Sequence, residues 1–286
     1  IRSRKHLFMH RRSFLIQAAF FLTMTTAPSA FARPVRLDGK YPDQFDSHIK
    51  DRLSKKRLFD KAYTEDIFLD KKLLPLLNVS LKRLKRLQKT VGYANFCLLN
   101  FDDAIKYGRS YSAIGAFPKK ELEFLEMIFY SQVNNYGFMG EKPIKNITGK
   151  IIKKEVKKIP YTGNYLYRGK PFEMYNRIKK EVGRDVVLTS GVRSIMKQFL
   201  LFLNKAKKSQ GNLSMASRSL APPGYSYHGV GDFDVGKKGY GVHNFTERFT
   251  RTNVYKRLTD LGYIKFRYEP DNDFGVRFEP WHIEVV

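Results

Sequence analysis

The sequence predicts an α+β fold, in which a small, mostly antiparallel sheet flanked by helices is joined to a helical N-terminal region. Three observations predict it. Apolar residues between 61 and 150 recur at helical spacing. From about 151 onward, short apolar or alternating runs take turns with helical stripes. A chain of 286 residues with 42% hydrophobic content can bury one full core and a small accessory layer.

The elements follow in order. Arg2, Arg4, Lys5, Arg11 and Arg12 precede an apolar run from Phe14 to Leu22, and Ala30-Phe31-Ala32 supplies the small residues of a cleavage site. Residues 1–32 therefore read as a signal peptide, and the apolar run is too short to span a bilayer comfortably. Arg11-Arg12-Ser13-Phe14-Leu15 resembles the twin-arginine export signal; an ordinary Sec signal is the alternative. The expectation is a periplasmic or secreted protein. Residues 33–60 are polar and charged with little periodicity and read as a basic linker or arm.

Residues 61–150 form the helical region. Leu81, Leu84 and Leu87 space one helix whose other faces carry Lys82, Arg83, Lys85 and Arg86, and Leu122, Leu125, Phe129 and Val133 share a face after Pro118. Residues 151–286 are the mixed region. Val186-Val187-Leu188 reads as a buried strand ending at Thr189-Ser190-Gly191. A helix follows, with Ser194 as N-cap, Ile195, Phe199 and Phe202 on one face, and Lys205, Lys207 and Lys208 before Gly211. Residues 232–235 alternate like a strand, Val254, Leu258 and Leu261 mark a helix stopped by Gly262, Ile264, Phe266 and Tyr268 alternate again, and 283–286 reads as a closing strand.

Charge narrows the partners. The net charge of +26 favours polyanions, and removing residues 1–32 takes away only five positive charges, so most of the basicity belongs to the working protein. The cations are spread among acidic residues without a recognised nucleic-acid motif, which argues against nucleic acid and leaves at most peripheral membrane contact; nothing implies an obligate protein partner. Cys97 is the only cysteine, so neither an intrachain disulfide nor a cysteine metal site can form. Any metal must sit on histidine and carboxylate. Beyond His6 and His10 in the N-terminal segment, the histidines are His48, His228, His243 and His282.

Three segments gather chemistry: Ser190-Gly191-Val192-Arg193-Ser194 with Gln198; Ser226-Tyr227-His228-Gly229-Val230-Gly231-Asp232-Phe233-Asp234; and Glu279-Pro280-Trp281-His282. A zinc hydrolase needs three N or O ligands and one open position, and two histidines with one aspartate meet that need. A further carboxylate must move the proton without ligating the metal. Glu279 stands three residues before His282, so a bend at Pro280 would aim both into one site.

Together these segments resemble the VanY-type zinc D-alanyl-D-alanine carboxypeptidases, whose patterns are Ser-Gly-x-Arg-Ser-x-x-x-Gln, Ser-x-His-x-x-Gly-x-Ala-x-Asp and Glu-x-x-His. The resemblance covers about residues 160–286. It implies Zn2+ on His228, Asp234 and His282, with Glu279 as general base and then acid and Arg193 as the electrophilic group at the scissile carbonyl. It also implies substrate contacts from Ser226, Gln198 and Ser194, and peptidoglycan stem peptides as the substrate. One departure stands out: the family places its Asp seven residues after the His, whereas Val235 occupies that position here and Asp234 lies six after His228. A one-residue deletion after Gly231 restores Asp234 as ligand. Asp232, two residues earlier, is the alternative ligand or an orienting group behind one, and His243 is a spare candidate. The rival readings are an L,D-carboxypeptidase or peptidoglycan endopeptidase of the same fold, and a catalytically silent wall-binding module.

Overall fold

The computed structural model describes the backbone of residues 44–286 and the side chains from Asp51 onward. The expected signal peptide at 1–32 and the first part of the expected linker lie outside the described residues. The rest of that linker is helical: α1 runs from Gln44 to Arg57. It has no apolar stripe to announce it. Polar contacts tether it instead, Arg52 donating to the Asp273 carboxylate at 3.1 Å and Lys56 to Asn272 O at 2.5 Å.

The helical region contains α2 (Leu74–Val91), α3 (Tyr93–Phe96), α4 (Phe101–Ser110) and α5 (Lys119–Tyr130). On α2, Leu77, Leu81, Leu84 and Leu87 are buried at helical spacing, while Lys82, Lys85 and Lys89 are exposed. Arg83 is no solvated charge. It forms a bidentate pair with buried Glu121 of α5, both bonds at 2.8 Å, and donates to the carbonyls of Ile114 and Gly115. The α5 face is Phe124, Leu125, Ile128 and Phe129; Leu122 sits at its margin, and Val133 belongs to a following 3-10 turn.

After a short antiparallel hairpin, β1 (Val156–Lys158) with β2 (Tyr165–Tyr167), come α6 (Lys170–Val182), β3 (Val186–Ser190), α7 (Ile195–Lys208), α8 (Leu213–Ser217), β4 (Phe233–Lys237), α9 (Asn253–Asp260) and β5 (His282–Ile283). The sheet is antiparallel throughout, in the order β3-β4-β5. Two apolar clusters flank the chemistry. One joins the stripes of α2, α4 and α5 to α7 and reaches Tyr268 and Val276; the other packs α6 and α9 against Val186, Leu188, Phe233, Val235 and Ile283 of the sheet. The first explains why α7 is buried nearly all round: Phe199 and Phe202 are fully enclosed, each worth roughly 1.5–3 kcal/mol of transfer free energy. Among the described residues no helix is long and apolar enough to cross a membrane.

Two expected strands are shorter than their alternation suggests. Around Ile264, Phe266 and Tyr268 only one bridge forms, between Phe266 and Ile283. The 283–286 strand reduces to His282–Ile283 because the amides of Val285 and Val286 donate to the Asp232 carboxylate, at 2.9 and 3.3 Å, instead of continuing a ladder.

Candidate active site

The site is laid out by strand register. Ser190 of β3, Asp234 of β4 and His282 of β5 are paired neighbours, forming one row across the sheet, while Phe233 and Val235 turn to the opposite, apolar face. Ser190 joins that row through a bulge. Leu188 pairs with Val235, so regular pairing would set Ser190 opposite Phe233; the extra residue, Thr189, shifts it opposite Asp234. The close turn that follows requires Gly191, since a Cβ there would lie 2.0 Å from Tyr165 O.

His228 enters from the 3-10 turn Tyr227–Gly229, where Tyr227 O accepts from the amides of Val230, Gly231 and Asp232. This tight turn brings Asp234 beside His228 despite the six-residue spacing. His282 and Glu279 flank a bend at Pro280-Trp281 in which the His282 amide donates to Glu279 O at 3.0 Å. Glu279 Oε2 then lies 3.8 Å from His282 Nδ1.

The tautomers follow from the partners. His228 Nδ1 lies 2.9 Å from Gly191 O, which can only accept, so Nδ1 carries the proton and neutral His228 presents a lone pair at Nε2. His282 Nε2 lies 3.0 Å from Asp232 Oδ2, so Nε2–H donates there and Nδ1 presents the lone pair. Both lone pairs face Asp234 Oδ1, at 3.1 Å from His228 Nε2 and 3.2 Å from His282 Nδ1. His228 Nε2 and Asp234 Oδ1 are buried without a hydrogen-bond partner. Three electron-pair donors aimed at one another repel unless a cation lies among them, and the three residues offer ligand atoms all within 4.8 Å. The donor set fits a divalent metal with N and O ligands.

Charge around the donors is graded. Burial, reinforced by the Arg193 guanidinium, lowers His228 to about 4 and keeps its imidazole neutral. Burial also opposes charge on His282, but the hydrogen bonds to Asp232 and Asp234 outweigh it and raise this group to about 9, so without a cation Nδ1 holds a proton toward Asp234, and a bound metal would take that proton's place. Burial works against the Asp234 carboxylate too, yet His228 and Arg193 hold it well below the usual carboxylate range. Glu279 moves the opposite way: burial raises it, against the pull of Arg277 and His282. A carboxyl raised in this manner holds a proton more readily than an ordinary glutamate, as a group that must take up and give back a proton requires.

Asp232 stands behind the row rather than in it. Its oxygens accept from His282, from Arg267 Nε at 2.5 Å and from the two terminal amides, so it fixes the orientation of His282. Arg193 Nη2 reaches Asp234 Oδ2 at 2.5 Å and its Nε donates to Ser190 Oγ at 2.8 Å. These groups line a cleft of about 340 Å³ that also includes Ser226, Trp281, Tyr268 and Phe245. Ser226 precedes the His228 turn but makes no capping bond with its side chain.

Two expected substrate contacts, Gln198 and Ser194, do not line the cleft. Gln198 is buried away from the cleft, its Nε2 donating to Arg193 O at 2.9 Å and its Oε1 accepting from Gly224 N at 2.8 Å, which spends both ends on backbone. Ser194 caps α7 by accepting from Lys197 N and donates to Phe96 O at 2.9 Å. Both hold the Arg193 loop in place. His243 sits in a separate 3-10 turn beside Tyr240 and is not among the gathered donors, and the side chain of His48 lies outside the described ones.

Residues 170–286 match the family model described as VanY, D-alanyl-D-alanine carboxypeptidase. Over these residues the chain is similar to that family. No curated protein matches the chain. Among solved structures it is similar to the LdcB LD-carboxypeptidase, at 27% identity over 46% of this chain and 62% of that one, with a TM-score of 0.37. It is also similar to a mutant of the vancomycin resistance D,D-pentapeptidase VanY, from a VanB-type cassette, in complex with Zn(II). There the identity is 23% over 46% of this chain and 78% of that one, with a TM-score of 0.35. VanYB in complex with D-alanine-D-alanine gives 23%, 46%, 77% and 0.35 in the same order. The chain thus spans less than two thirds of the LdcB structure.

The matched stretch holds the whole donor set together with Glu279 and Arg193. Among polar and charged cleft residues, sequence reasoning assigned no role to Thr189, Lys197, Ser219 and Arg277. Thr189 immediately precedes the first segment, Lys197 lies between its Ser194 and Gln198, and Arg277 is two residues before Glu279, so proximity to the motifs was the only signal for these three. Arg267, the partner of Asp232, had none beyond its place between two alternating apolar residues.

Proposed function

We propose that this protein is a zinc-dependent carboxypeptidase that removes the C-terminal D-alanine from peptidoglycan stem peptides. The observation that carries the reading is the convergence of His228 Nε2, Asp234 Oδ1 and His282 Nδ1 beside the buried carboxyl of Glu279. Zinc held by those three residues would lower the pKa of water toward about 7 and polarise the scissile carbonyl. Glu279 takes the proton from the attacking water and returns it to the departing amine, a role suited to its raised pKa. Arg193 cannot lose its charge at working pH, and it faces the cleft beside Asp234, where it stabilises the oxyanion as the carbonyl carbon becomes tetrahedral. Ser226 offers a hydroxyl to the substrate's terminal residue, and Trp281 walls that end of the cleft.

A wall-binding module without chemistry would have no use for a proton-moving carboxyl 3.8 Å from a ligand histidine. The export signal read at residues 1–32 would bring the enzyme to its polymer. Mass spectrometry of a stem pentapeptide, the matching tetrapeptide and the amidated pentapeptide after incubation with the zinc-loaded protein tests the reading. The expected product is tetrapeptide plus free D-alanine from the pentapeptide alone. Release from the tetrapeptide instead would make it an L,D-carboxypeptidase, and equal cleavage of the amidated peptide an endopeptidase.

A further inference from the structure

The cleft contains more positive charge than the chemistry uses. Arg193 is matched by Asp234 at 2.5 Å. Lys197 and Arg277 also line the cleft, and neither belongs to the roles derived above. Lys197 lies in the first turn of α7, after the Arg193 loop and the Ser194 cap, half-buried, and among the described residues its ammonium has no hydrogen-bond or ion-pair partner. Burial there disfavours its charge, so an arriving anion offsets a cost already present in the fold.

Arg277 approaches from the Glu279 side. Its guanidinium stacks over Trp281 at 4.9 Å and Phe59 at 4.4 Å, and its Nη2 donates to Phe245 O, so its position is fixed in advance. Its Nε is buried without a hydrogen-bond partner, and the Glu279 oxygen at 3.8 Å is beyond hydrogen-bonding distance. The hydroxyls of Thr189 and Ser219 in the same cleft are likewise buried and unpartnered. A concave site with one cation that has no ion-pair partner among the described residues, a second held only by a 3.8 Å ion pair to Glu279 with its Nε–H unspent, and spare hydroxyl donors is built for an acceptor-rich ligand. The terminal carboxylate of a peptide answers one of the two cations. The other calls for a second carboxylate.

We propose that Lys197 and Arg277 make the cleft selective for a dicarboxylic substrate, one whose residue within two positions of the scissile bond carries a free side-chain carboxylate, as a diamino dicarboxylic acid residue does. One cation holds the terminal carboxylate and the other the side-chain carboxylate. The inference rests on the carboxypeptidase reading and adds the substrate class to it.

Two stem pentapeptides, identical except for diaminopimelate or lysine at the third position, differ there by one carboxylate. With zinc-loaded protein the kcat/KM ratio should favour the diaminopimelate peptide roughly ten-fold or more, the scale of a hydrogen-bonded charge pair. Lys197→Met or Arg277→Met should collapse that ratio toward one, and the variant that does so names the partner of the side-chain carboxylate. Lys197→Met retains the aliphatic stem and keeps the test informative if Arg277→Met fails to fold. Calorimetric binding of both peptides to Glu279→Gln protein reads discrimination without turnover. If neither peptide is cleaved but the diaminopimelate peptide binds more tightly, the carboxypeptidase reading fails and the selectivity stands. A parent ratio near one with equal binding, or a ratio unchanged in both variants, overturns the proposal.

Discussion

The two aspartates of the second motif give the sharpest separation between support and chemistry. Asp232→Ala removes the carboxylate that pairs with Arg267, whose side chain is 7% exposed, together with the acceptor of the Val285 and Val286 amides and of His282 Nε2. Breaking a buried pair from one side costs roughly 3–5 kcal/mol. An amide left buried without its acceptor adds about 1–3 kcal/mol; Val286 is half-exposed and recovers its bond from water. The sum, on the order of 4–8 kcal/mol, is a large part of the roughly 5–15 kcal/mol that holds a domain together. It translates into a Tm drop on the order of 10–30 °C for a chain of this size. Asp234→Ala releases Arg193, which faces the cleft and can be solvated, and relieves a cluster of facing acceptors, so about 1–3 kcal/mol is expected. Thermal unfolding of the metal-free variants by circular dichroism reads the difference. Zinc titration then reverses the order of severity: Asp234→Ala loses the ion, whereas Asp232→Asn, which retains an acceptor for the terminal amides, weakens binding about 10 to 100-fold. The reasoning is refuted if Asp234→Ala binds zinc like the parent, or if it unfolds at a lower temperature than Asp232→Ala.

Other expectations follow from single contacts. Glu279→Gln should keep zinc and lose roughly 10² to 10⁴-fold in kcat, since only proton transfer is removed; loss of zinc in step with activity would make Glu279 a ligand. Gly191→Ala sets a methyl 2.0 Å from Tyr165 O and displaces the carbonyl that orients His228, so unfolding should come at least about 1–3 kcal/mol earlier, and a parent-like denaturation midpoint would contradict the close approach. Burial opposes the Asp66 carboxylate, but Arg218, Asn212 and the Tyr63 amide hold it below its ordinary 3.8. Its stabilisation is therefore full above that value and lost as pH falls through the lower folded one. Asp66→Asn should flatten the acid limb of stability against pH, and an unchanged limb would assign that limb to other groups.

What the sequence made legible was decided by chemistry and period. The residues His228, Asp234, His282 and Glu279 stand in short segments whose resemblance to a family pattern implies a donor set and a proton carrier, with Asp232 left open as the alternative ligand. The strands at 186 and 233 and the helices at 195 and 253 follow from apolar periodicity. Other features depend on the partner surface. The stripe of α2 shows that one face is buried, but not that it packs on α7 and merges with the region bearing the site. Helix α1 has no stripe, since its anchors are polar contacts to the loop at 272–273. The bulge at Thr189 adds one residue to β3 with no mark in composition, yet it carries Ser190 and the Arg193 loop to the site face. Gln198 and Ser194 occupy motif positions and spend their hydrogen bonds inside the protein, a distinction that types and spacing alone cannot express.

Metal stoichiometry joined to turnover tests the central claim most directly. Native mass spectrometry of the protein, before and after dialysis against chelator, should find one zinc per chain and then none. Release of D-alanine from a stem pentapeptide should disappear with the ion and return on adding one equivalent. A metal-free chain that still releases D-alanine at the parent rate would contradict the account, as would a His228→Ala variant that retains both zinc and activity.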